Sequence, residues 1–118
     1  LKTAGSRRDI PLVGVALWAV ERAAAENDGQ FLFPRYCSVT KCKADYASNT
    51  LNKWMKPYVP NGCVIHSFRH SLRDRLRACE CPSDIIDQIG GWATTSVAQG
   101  YGSGYPLANL HQWMKHLE

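Results

Sequence analysis

Four residue types with fixed gaps could do chemistry here. His66-Ser67-Phe68-Arg69 reads His-x-x-Arg, Gly91-Trp92 puts an indole 26 residues after that histidine, and Tyr101 follows nine residues beyond Trp92. A lysine stands near the other end in Leu1-Lys2-Thr3, just ahead of Ser6-Arg7-Arg8-Asp9-Ile10-Pro11-Leu12. A guanidinium can fork onto two phosphate oxygens. An imidazole can take or hold a proton. A phenol can act as a nucleophile once its proton is removed. Such a set suits attack of a tyrosine on a phosphodiester.

Elements with the right period must position these groups. Residues 12–26 form an expected helix, with Leu12, Val15, Ala16, Ala19, Val20 and Ala23 at helical spacing and Asn27-Asp28-Gly29 as its stop. Residues 45–57 read as a second helix, with Leu51, Trp54 and Met55 on one side. Residues 66–79 read as a third, whose apolar stripe is Phe68, Leu72, Leu76 and Cys79. Arg69 falls at the border of that stripe, with His66 and Arg73 slightly further round. Pro82-Ser83-Asp84 opens a fourth helix that Gly90-Gly91 closes. Pro106 opens a last one, with Leu107, Leu110, Met114 and Leu117 on one face. At the start, Ala4-Gly5-Ser6 is turn chemistry, and residues 1–12 read as the second half of a β-hairpin. The chain is therefore expected to begin inside a domain. The fold class expected is mainly α with a small β-hairpin remnant at the N-terminus (α+β), as one partial domain over residues 1–118.

Composition bounds the function. The 118 residues carry 14 Lys and Arg against 10 acids, for a net charge of +4. That excess is mild, but Arg69, Arg73, Arg75 and Arg77 cluster with only Asp74 among them. Like charges one turn apart repel in a bare helix, and an anion against them removes the cost. A solvated charged face is the plainer alternative. His70 is read as the (i, i+4) partner of Asp74. Five cysteines, an odd number, suit free thiols in a reducing cytoplasm better than a disulfide scaffold. Cys37-x4-Cys42 and Cys79-x-Cys81 miss the usual zinc-knuckle spacings, so neither metal nor cofactor is expected. No apolar run approaches the roughly 20 residues of a membrane span.

Taken in order and with their gaps, these residues resemble the tyrosine recombinases, the phage-integrase family. The resemblance runs from Lys2 through Arg8-Asp9-Ile10-Pro11-Leu12, His66-x-x-Arg69 and Gly91-Trp92 to Tyr101 and the final helix. It implies a truncated tyrosine-recombinase catalytic fold that cuts and rejoins duplex DNA through a 3′-phosphotyrosine. By the same resemblance, Tyr101 is the nucleophile, Arg69 binds the phosphate, His66 handles the tyrosine proton and Lys2 is the general acid. Trp92 stands where the family more often has histidine; an indole N–H positions an oxygen but shuttles no proton. Arg7, Arg8 and Arg73 are expected to contact DNA. The family's first arginine, in a helix upstream of the hairpin, and its N-terminal DNA-clamping domain have no counterpart among these residues, so little activity is expected of this chain alone. The expected partners are double-stranded DNA and further copies of the protein, a tetramer on DNA. A segment after the tyrosine often packs on a neighbouring protomer in that family, and Gly102-Ser103-Gly104 could hinge it here. The alternative is a non-catalytic DNA-binding remnant. Tyr105 is the competing phenol, directly before Pro106.

Overall fold

A computed structural model describes residues 8–27, 29–92 and 104–117. Five helices organise them: α1 (Gly14–Ala25), α2 (Ala44–Met55), α3 (Ser67–Ala78), α4 (Ser83–Gly90) and α5 (Leu107–Lys115). The protein is mainly helical, each helix lying within a few residues of its expected span. Among the described residues the only β pairing is an isolated antiparallel bridge between Cys37 and Cys42. The expected N-terminal hairpin falls largely on residues 1–7, outside the described residues; residues 8–13 form no regular element.

Two compact units divide the chain: Leu1–Ala16 with Ser71–Glu118, and Leu17–His70. The first unit holds a core of Leu76 from α3, Cys81, Ile85, Ile86 and Ile89 from the α4 region, and Leu110 from α5. Leu72, Trp92, Trp113, Met114 and Leu117 pack around it. The α5 stripe thus sits in its own unit's core, although Leu107 at its start is exposed.

Local chemistry explains the helix ends. Pro82 and Pro106 precede α4 and α5, and their carbonyls accept from Ile86 (3.0 Å) and Leu110 (3.3 Å). α3 ends with Glu80 at φ +59°, left-handed backbone that a non-glycine residue seldom adopts. The Cys81 N–H then reaches back to the Leu76 carbonyl at 3.0 Å, turning Cys81 into the core.

The second unit buries little. Met55 is its one fully buried hydrophobe among the described residues. Trp54 is 65% exposed and Leu51 41%, so the expected α2 stripe is only partly covered. α1, whose residues 17–25 belong to this unit, has no buried residue, and its Trp18 is 58% exposed. Phe68, expected on the core stripe of α3, is 61% exposed. Four-residue spacing put Phe68 in line with Leu72 and Leu76, but of the expected stripe only Leu76 is buried, with Leu72 packed against the core and Cys79 only partly buried outside it.

Candidate functional site

The C-terminal end of α4 gathers three of the singled-out residues. Gly91 caps the helix in left-handed backbone (φ +64°, ψ +37°), and its N–H bonds the Asp87 carbonyl. Trp92 donates its own N–H to that carbonyl at 3.0 Å. This sharp reversal folds the indole back over Gly90, so closely that a Cβ there would lie 1.7 Å from the ring's Cζ3. A glycine is required at 90 by the ring and at 91 by the backbone.

Two arginines converge on this turn. Arg8 donates through Nε to the Ile89 carbonyl at 2.9 Å, and its guanidinium passes over Gly91. α4 has no basic residue in its own last turn, so Arg8 places a cation at the negative end of the helix dipole from 81 residues away. Arg73, from α3, has its guanidinium carbon 4.8 Å from the Trp92 ring centroid, a cation–π distance. Its Nη2 lies 3.7 Å from Asp87 Oδ1, and its buried Nε has no hydrogen-bond partner among the described residues. Arg8, Arg73 and Trp92 thus form one cationic and aromatic corner in the first unit.

The rest of the arginine cluster is engaged within the protein. Arg75 donates to the Leu117 carbonyl, and Arg77 lies 4.0 Å from Asp74, one helical turn away. His70 does not pair with Asp74; its ring sits edge-on to His66, with centroids 5.5 Å apart.

His66 and Arg69 belong to the start of α3, in the second unit. The His66 carbonyl accepts from the Arg69 N–H at 3.0 Å, so His66 ends the entering turn and Arg69 occupies the first turn. Asn52 of α2 steadies this entry by accepting from the Ile65 N–H at 2.6 Å. His66 is exposed and Arg69 partly buried. Arg69 and Arg73 are four residues apart on one continuous helix, which gives them a common side of α3.

Lys2, Arg7 and Tyr101 lie outside the described residues. On either side of the segment that carries Tyr101, the chain is bonded to α4. Trp92 reaches Asp87, and Tyr105 exchanges two backbone hydrogen bonds with the Gln88 side chain, at 2.8 and 3.0 Å. Tyr105, the rival phenol, donates its hydroxyl to Asp84. That bond raises the Tyr105 pKa above its ordinary value and lowers that of Asp84. A phenol held protonated in this way is a poor nucleophile.

The described part of the second unit also has a cleft of about 330 Å³ between the end of α2 and residues 59–64, with Lys53 and Lys56 on its rim. Of the residues described above, only Asn52 lines it. Among the described residues no group of three or more His, Cys, Asp or Glu could hold a metal ion. No helix among them is long and apolar enough to cross a membrane. Sequence reasoning missed the roles of Asp84, Asp87 and Gln88; their only local signal was three polar residues in a helix otherwise rich in isoleucine. No protein-family model, no curated protein and no solved structure matches this chain.

Proposed function

We propose that this chain is part of the catalytic domain of a tyrosine recombinase, acting on duplex DNA in the cytoplasm. Support comes first from the ordered motif set: His66-x-x-Arg69, Gly91-Trp92 and Tyr101. The observation that carries the reading furthest is the corner at the end of α4. There Arg8, Arg73 and Trp92, far apart in sequence, meet beside the helix terminus from which the Tyr101 segment departs.

The chemistry follows from the groups. A phosphodiester repels nucleophiles, and attack gathers further charge on its non-bridging oxygens. Arg69 answers that charge with a planar fork, and Trp92 can add an indole N–H. Tyr101 attacks phosphorus and displaces the 5′-oxygen, forming a 3′-phosphotyrosine that keeps the bond energy for rejoining. His66 accepts the phenolic proton, and Lys2 returns one to the leaving oxygen. Arg7, Arg8 and Arg73 bear on the DNA backbone, whose binding must weaken with salt. Four copies on two duplexes complete the exchange.

The test is an end-labelled nicked duplex with a randomised centre. Because the family's first arginine lies upstream of the hairpin, it is run both with this chain and with the chain extended on that side. The extended chain is expected to give a covalent adduct that survives detergent and is destroyed by protease; the 118-residue chain is expected to give little. Tyr101→Phe abolishes the adduct, Tyr105→Phe does not, and Arg69→Ala lowers its rate roughly a hundredfold or more. Salt-sensitive duplex binding with no adduct from the extended chain establishes the DNA-binding remnant instead. An adduct that survives Tyr101→Phe overturns the assignment of the nucleophile.

A further inference from the structure

Cys37 and Cys42 face each other across the bridge in the second unit. The Ser38 N–H bonds the Lys41 carbonyl and the Lys43 N–H bonds the Tyr36 carbonyl, both at 2.8 Å. Those two bonds flank the cysteine pair and leave it as the non-hydrogen-bonded register of an antiparallel pair. In that register the Cα atoms are about 4.5 Å apart and the side chains approach most closely. The separation falls within the range a disulfide spans without moving the backbone. The two sulfurs are 3.4 Å apart.

The surroundings suit thiol exchange. Cys42 is exposed and Cys37 partly so. Residues 35–43 include Arg35, Lys41 and Lys43 and no acid. The turn between the cysteines is set by Ser38, whose hydroxyl accepts from the Lys41 N–H at 3.1 Å. Lys43 is also the N-terminal flank of α2, its carbonyl accepting from the Ala47 N–H at 3.1 Å. A bond between the two sulfurs would therefore fix how the chain enters α2.

We propose that Cys37 and Cys42 are a reversible dithiol–disulfide site, oxidised by anionic low-molecular-weight disulfides, which clips the turn leading into α2. The Cys42 thiolate attacks one sulfur of the small disulfide and expels a small thiolate, leaving a mixed disulfide on Cys42. The Cys37 thiol loses its proton to solvent and attacks the Cys42 sulfur, expelling the second small thiolate. Two protein thiols are oxidised and one small disulfide is reduced to two thiols, a two-electron exchange. The hydrogen bond to Cys42, with some burial, raises the Cys37 pKa, which suits Cys37 to the second, resolving step. The site is independent of the DNA reading.

The test incubates the native 118-residue chain with oxidised glutathione, blocks free thiols and maps tryptic peptides. Cleavage after Arg35, Lys41 and Lys43 puts the two cysteines on separate peptides, residues 36–41 and 42–43. Expected is one joined species that a reductant splits. In Cys37→Ser, residues 42–43 carry a persistent glutathione adduct instead. In guanidinium the equilibrium constant for the joined species falls at least about tenfold, or about 30 mV. The proposal is overturned if both cysteines carry separate adducts with no joined peptide, if Cys63 takes the place of either, or if native and denatured chains close equally well.

Discussion

Gly90→Ala is the sharpest probe of the corner at the end of α4. On helix propensity alone it should stabilise the protein, by up to about 1 kcal/mol. The structure reverses the sign. The new methyl carbon would stand 1.7, 1.9 and 2.4 Å from three atoms of the Trp92 ring, whereas carbon atoms in contact sit about 3.5–4.0 Å apart. The ring must move by about 2 Å, and the backbone gives little help because the Trp92 N–H is bonded to Asp87. Swinging the indole out forfeits its packing on the core, about 1.5–3 kcal/mol for a large apolar side chain. It also forfeits the contact with Arg73, about 0.5–1 kcal/mol. Net destabilisation is expected at about 1–3 kcal/mol, measured by urea unfolding followed by circular dichroism. A double-mutant cycle with Trp92→Ala isolates the cause. With the indole gone, Gly90→Ala should become neutral or stabilising. If it costs as much without the indole as with it, the seat of Trp92 on Gly90 is not the reason for the glycine.

Two further outcomes rest on titrating groups. Asp84 has its carboxyl lowered by the hydroxyl of Tyr105, so its contribution to stability is present above the unfolded carboxyl pKa, near 3.8, and is lost as pH falls through the lower folded value. Tyr105 is raised by the same bond; its contribution is present below 10.0 and is lost as pH rises through the higher folded value. Thermal melts from pH 2 to pH 11 should therefore show Tyr105→Phe losing stability between those limits and converging on the wild type at both ends; a uniform offset at all pH values would refute the pairing. Separately, burial, with smaller contributions from Asp84 and Cys79, pushes the Cys81 thiol up to about 11. At pH 8 iodoacetamide should label it at least about a hundredfold more slowly than an unperturbed thiol, and labelling as fast as that of exposed Cys63 would refute its place in the core.

The sequence by itself determined where the helices lie. Pro82 and Pro106 open α4 and α5, Gly91 closes α4, and the His-x-x-Arg motif falls at the start of α3, because capping and backbone preference act over three or four neighbouring residues. It did not determine which faces those helices bury. Phe68 shares the stripe of Leu76 yet stays exposed. Periodicity marks an apolar side but not how far a neighbour extends along it. Only tertiary structure made Arg8 the cation at the end of α4, set Arg73 between Asp87 and Trp92, and tied Tyr105 to Asp84. Each of these depends on how the chain returns to itself, and the cost of that closure is spread over many contacts that no short window contains.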